Sequence, residues 1–402
     1  MSDIVCDDAH APPTPQLSAR RLIGVIALTL ALCYAVMLGG TYLKGYFLTD
    51  TQGRPIVNDF IGVYAAGRLV LDGDAVAAYD WPTHKKAEMR AIGHAFEEYY
   101  GWHYPPTFLF VAAALATLPF LVAAIAWLVL TLCAYAASIA AILGERTGIL
   151  VALGFPAAVW NATAGQNGFL TAALIGGTLG LMERRPALAG VCLGLLTYKP
   201  QFGLLFPLVL IADRRWLTIA VAALGAAAMA ALAWLTFGDA SWLAFWHWMG
   251  VTSRVILGEG AADWSRLQSL FGLIRAHGGS ETLAWTVQAA GTLTATAGVL
   301  WLWRSPAPFD LKAAALAAGT LAATPYLYMY DLVVLAVAVA FLLRYALEQG
   351  FVPLEIAGLA AAGVLILIFP YVKTQVGLAA VLIVFALAAH RACCVATKST
   401  PH

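Results

Sequence analysis

Asp59, in the stretch Asn58-Asp59-Phe60, is the residue best suited to acid–base chemistry. A carboxylate at a polar–apolar boundary can take the proton from a hydroxyl nucleophile as it attacks. Partial burial would raise its pKa toward a useful value, and neighbouring cations would oppose that. A plainer reading competes: an acidic residue in a helix first turn satisfies orphan N–H groups and the helix dipole.

Lys199 is the second candidate. It lies inside an apolar run, where a charge is costly, and Pro200 breaks the helix beside it. A cation at a broken helix suits a phosphate oxyanion; snorkelling to an interface is the alternative. Gln166 and Asn167 follow Gly165 in an apolar hairpin and can hydrogen-bond a polar ligand or form a plain turn. Tyr330 and Asp331 open a very apolar run, which Asp331 can cap. His103 precedes Tyr104-Pro105-Pro106 and can relay a proton, bind phosphate or serve structure alone.

These residues sit in a chain built for a bilayer. Of 402 residues 61% are hydrophobic and only 11% charged, against about 25% charged in soluble domains. Mean hydropathy is +0.80. Apolar runs of about 20 residues recur, each long enough to span hydrocarbon as a helix. The class is an all-α polytopic membrane protein. Net charge is +1, so nothing suggests a nucleic-acid partner. The six cysteines (6, 33, 133, 192, 393 and 394) lie in tails or apolar runs. They offer no disulfide framework and no metal-ligand spacing. No cofactor or metal is expected.

Residues 1–19 read as a disordered tail without a signal-peptide pattern. Arg20-Arg21 before the first span puts the N-terminus in the cytoplasm. A single membrane domain is expected over 20–392, with a tail over 393–402. Its main polar feature is the loop 44–104, which holds 14 of the chain's 45 charged residues. Two amphipathic interfacial helices are expected there. Asn58 would cap the first, over 59–71. Thr83 would cap the second, with Met89, Ile92, Phe96 and Tyr99 on one face. Further runs fall at 105–118, 120–143, 148–164, 167–182, 186–211, 216–237, 281–303, 311–326, 329–347, 352–369 and 374–391, for 11 to 13 spans. A tryptophan-rich stretch at 238–280 reads as extramembrane, at headgroup depth. Glu183-Arg184-Arg185 and Asp213-Arg214-Arg215 both look cytoplasmic. If they are, 186–211 turns back near Lys199-Pro200 as two half-helices; otherwise one Arg pair lies outside.

The order of these motifs is more telling than any one of them. Asn58-Asp59-Phe60 is followed by Tyr64-Ala65-Ala66-Gly67-Arg68 and Tyr79-Asp80. Then come Tyr104-Pro105-Pro106, Gly165-Gln166-Asn167 and Tyr198-Lys199-Pro200-Gln201. The series resembles glycosyltransferase family 87, membrane enzymes of GT-C architecture, most closely over 58–215. The resemblance implies inverting transfer of a hexose, mannose-like, from a polyprenyl-phosphate sugar to an envelope lipid or glycan acceptor. It implies a multi-pass protein of the plasma (inner) membrane, its site on the extracytoplasmic side and Asp59 as the base. Arg68, His103, Tyr104, Gln166, Asn167, Lys199, Tyr330 and Asp331 become candidate substrate contacts, with Lys199 and Arg68 on the departing phosphate. Membrane lipids are the other partner. Family members commonly carry Ser-Pro with a nearby His late in the chain, whereas this one reads Thr324-Pro325-Tyr326.

A transporter or lipid flippase is the main alternative, since it also breaks helices near mid-membrane. The lopsided early loop and the lack of a visible repeat argue against it. An O-antigen ligase or polymerase usually carries its large loop late.

Overall fold

Hydrocarbon offers backbone groups no hydrogen bonds, so each segment must satisfy its own, as a helix does. The computed structural model describes residues 16–261 and 263–398 and contains no strand among them. The helices are α1 Gln16–Leu43, α2 Phe60–Leu71, α3 Trp81–Ile92, α4 Leu109–Ala116, α5 Phe120–Leu143, α6 Glu145–Gly154, α7 Pro156–Ala164, α8 Gly168–Leu181 and α9 Pro186–Leu195. They continue as α10 Phe206–Ala212, α11 Trp216–Ser253, α12 Leu270–Ala276, α13 Glu281–Arg304, α14 Phe309–Ala322, α15 Leu335–Gln349, α16 Pro353–Ile368 and α17 Val376–Lys398. The tails expected at 1–19 and 393–402 lie partly outside the described residues. Where described they are helical, in α1 from Gln16 and in α17 through Cys393-Cys394 to Lys398.

Among the described residues six helices are long and apolar enough to cross a membrane, and α6 with α7, bent by 60°, can make a seventh. The remaining strongly apolar segments are shorter, because proline and glycine interrupt them: Pro156, Gly165 and Pro200 each sit at a helix boundary.

One end of the bundle is rich in arginine. Arg20 lies beside Gly144 at the end of α5. Arg344 pairs with Asp310 and donates to the Ile142 carbonyl at 3.4 Å. Arg391 donates to the Gly350 carbonyl at 2.8 Å and stands 3.3 Å from Glu355. Thr218 Oγ1 donates to the Pro186 carbonyl at 3.1 Å, so α9 and α11 start at the same level. The two Arg pairs therefore share a face, and the chain between them enters and returns. α9 has ten residues, about 15 Å of helix, half the hydrocarbon thickness. Tight turns at Leu196–Tyr198 and Pro200–Gly203 hold Lys199 at the innermost point, and α10 returns.

In the loop 44–104, α2 is buried against the rest of the protein on most of its surface. Phe60 to Gly67 and Leu69 are all buried, and Tyr64 donates to the Leu118 carbonyl at 2.9 Å. α3 is capped by Asp80, not Thr83: its Oδ1 accepts from the Thr83 N–H at 3.0 Å. α3 ends at Ile92, so Phe96 and Tyr99 lie beyond it. Its buried face is His84, Ala87, Glu88 and Ile92.

That face carries a buried pair, His84 Nε2 and Glu88 Oε1, 3.5 Å apart. Burial pushes Glu88 up to about 8, with Lys85 opposing, and burial pushes His84 down to about 3. Both are largely uncharged at neutral pH. Folding raises the Glu88 pKa above its ordinary 4.5, so its contribution falls as pH rises from 4.5 to about 8. His84 acts oppositely between about 3 and 6.5. From pH 6.5 to about 8 only the Glu88 slope remains. The melting temperature in detergent should therefore drop across that window, and Glu88→Gln should flatten the drop. Equal slopes in both proteins would refute this.

The stretch 238–280 is not a simple loop. α11 continues through it to Ser253, broken at Gly238 (φ 74°, ψ 170°), a conformation open essentially to glycine alone. Beyond the break Leu243 and Trp246 are exposed, while Phe245, Met249 and Thr252 turn inward toward a cavity.

Candidate active site

Asp59 precedes α2, in the capping position, yet its carboxylate makes no capping hydrogen bond. Asn58 takes part of that work, its Oδ1 accepting from the Phe60 N–H at 3.1 Å. The Asp59 backbone N–H donates to the Ala164 carbonyl at 3.0 Å, and Asp59 Oδ2 accepts from Gln166 Nε2 at 2.8 Å. The hairpin between α7 and α8 thus holds Asp59 at two points. It can do so because Gly165 adopts φ +68°, and a Cβ there would lie 2.9 Å from Asn58 Oδ1. Burial raises the Asp59 pKa. The Gln166 hydrogen bond and the charges of Arg266 and Lys199 oppose this, and Asp331 reinforces it.

Asp59 lines a cavity of about 1000 Å³ at the end of the bundle opposite the Arg pairs. His103, Tyr104, Gln166, Lys199, Tyr330 and Asp331 line it too. Asn167 is buried behind it: its Nδ2 donates to the Tyr104 hydroxyl at 2.7 Å, and that hydroxyl donates to Gln166 Oε1 at 3.3 Å. Arg68 lies outside. It is nine residues along α2 from Asp59, about 13 Å of helix, and it reaches the Ala116 carbonyl and Asp72 instead.

Two charge assignments change. Lys199 Nζ lies 2.7 Å from Asp331 Oδ1, and both side chains are buried. Its charge is already matched, so it is not a spare cation for a phosphate. Asp331 also accepts from the Tyr328 N–H at 3.3 Å, so it caps as well as pairs. His103 donates to or accepts from Thr252 Oγ1 at 3.1 Å, and burial lowers its pKa to about 4, so it stays neutral at pH 7 and brings no charge to an anion.

Two cations the sequence reading passed over line the cavity instead: Arg266 and Lys373. Among the described residues neither has a carboxylate within salt-bridge distance. Both charges lower the pKa of Asp263, after its hydrogen bonds from Ser265, and Arg266 also acts on Asp59. Long-range pairing brings them together. Gln268 N–H donates to the Leu327 carbonyl at 2.6 Å, Gly377 N–H to Gln268 Oε1 at 2.8 Å, and Gln375 Nε2 to the Trp264 carbonyl at 3.1 Å. The usable signal was modest: a basic residue within the 238–280 stretch and another in the short break before α17, at the end of the bundle where Asp59 lies.

Residues 102–325 match the model of glycosyltransferase family 87. That span holds Tyr104, Gln166, Lys199 and Arg266, and it leaves Asp59 and Lys373 outside. No curated protein and no solved structure matches the chain.

Proposed function

We propose that this chain, which belongs to glycosyltransferase family 87 and so is a membrane glycosyltransferase, moves a mannose-like hexose from a polyprenyl-phosphate sugar to an envelope lipid or glycan acceptor, with inversion. The observation that carries the reading is one cavity that holds both a partly buried carboxylate and two cations with no salt-bridge partner among the described residues.

The acceptor hydroxyl attacks the anomeric carbon through an oxocarbenium-like state, as in glycoside chemistry. Asp59 receives the hydroxyl proton as the new C–O bond forms. The bond from the anomeric carbon to the phosphate oxygen breaks, and its electron pair leaves with the phosphate. That phosphate already carries negative charge, so no acid is required. Arg266 and Lys373 meet the growing charge, the part that the Lys199–Asp331 pairing denies to Lys199. The positive-inside rule supports an arginine-rich end facing the cytoplasm and a cavity on the extracytoplasmic side of the plasma membrane. A lipid-linked donor suits that side.

The test offers purified enzyme in detergent a radiolabelled sugar on polyprenyl phosphate or on a nucleotide. Transfer from the nucleotide sugar with no lipid carrier would overturn the proposal. Arg266→Ala and Lys373→Ala should each lower donor kcat/KM by about tenfold or more, the scale of one hydrogen bond to a charged group. Unchanged donor kinetics in both would remove the cation pair from the site.

A further inference from the structure

The geometry points to Gln166 as the residue that positions Asp59 for proton transfer, itself held by Tyr104 and Asn167 rather than used to bind substrate. This rests on the reading of Asp59 as base and adds a role for its neighbours.

The orientation of the Gln166 amide follows from its partners. Its Oε1 lies 3.2 Å from the Asn167 backbone N–H, which can only donate. The oxygen must therefore face that group, and Nε2 must face Asp59 Oδ2 at 2.8 Å. The Tyr104 hydroxyl adds a second donor to Oε1, and its own acceptor position is filled by Asn167 Nδ2. Tyr198 anchors the far side, its hydroxyl donating to the Asn167 carbonyl at 3.3 Å. Turning the Gln166 amide over would set its N–H against the Asn167 N–H and its oxygen against the Asp59 carboxylate, so these two contacts hold its orientation. One Asp59 oxygen is thereby engaged, and the carboxylate plane is set toward the cavity. An N–H donated to a carboxylate favours its charged form, the form a base needs.

Other groups act on Asp59 from every side. They are Arg266 ahead of α12, Lys199 between α9 and α10, and Asp331 with Tyr328 and Tyr330 ahead of α15. Tyr100 and Tyr104 act from the end of the 44–104 loop. All of these remain in Gln166→Leu, so that variant isolates the amide.

The experiment is a pH profile of kcat and of donor KM for the parent, Gln166→Leu, Tyr104→Phe and Asp59→Asn. Losing the donated N–H raises the Asp59 pKa, so the acid limb of the Gln166→Leu profile should move to higher pH. On that limb kcat should fall about tenfold or more, with little change in donor KM. Tyr104→Phe, a milder change that keeps the ring, should move the limb the same way by less. A uniform loss at all pH values, with the limb unmoved in both variants, overturns the positioning role and leaves Asp59 as base. Turnover retained in Asp59→Asn overturns the base itself.

Discussion

Asp59→Asn is expected to insert and fold like the parent and to lose at least about a hundredfold in sugar transfer, the scale of a missing general base. The structure explains why the fold should survive. The carboxylate makes no capping hydrogen bond to α2, so the helix does not depend on its charge. The hydrogen bond it accepts from Gln166 Nε2 can be received equally by an asparagine oxygen. The backbone bond to Ala164 is untouched. What goes is the ability to accept a proton. Turnover by purified variant and parent, alongside their melting temperatures, checks this. Near-normal turnover would falsify the assignment, and a collapsed melting temperature would revive the structural reading of Asp59.

The second large effect concerns stability. Lys199→Ala or Asp331→Ala should each destabilise the fold by about 3–5 kcal/mol, because removing one partner strands the other as a buried charge. Both side chains are buried and their atoms meet at 2.7 Å, at the point where the α9–α10 segment turns. The double variant Lys199→Met with Asp331→Leu should recover most of that loss, since an apolar pair of similar volume leaves no charge behind. A double-mutant cycle read by thermal unfolding in detergent measures the coupling. Additive losses would deny it. A Lys199→Ala protein that melts normally but fails only in donor use would return Lys199 to the phosphate.

The sequence was sufficient for the fold class, though not for the span count: it offered 11 to 13 runs where six helices, or seven with the bent pair, are long and apolar enough among the described residues. Composition and the recurring apolar runs settle an all-helical membrane protein, because hydrocarbon admits little else at that content. It also singled out Asp59, Tyr104, Gln166, Lys199, Tyr330 and Asp331, which line one cavity. These are the polar residues an apolar background makes conspicuous.

What sequence could not decide was pairing. Lys199 and Asp331 are 132 residues apart, and each looks unsatisfied until the fold joins them. Arg266 and Lys373 look ordinary in the sequence and gain meaning only as charges lining the cavity that Asp59 also lines. Arg68 carries the right charge but points along α2 away from the cavity. The parity of the two Arg pairs also needed a contact, from Thr218 to Pro186, since a re-entrant turn and a full span have the same hydropathy. Periodicity and hydropathy report what a segment meets on average, solvent or hydrocarbon. A charge's role depends on which other charge sits within a few ångströms, and only the tertiary fold sets that distance.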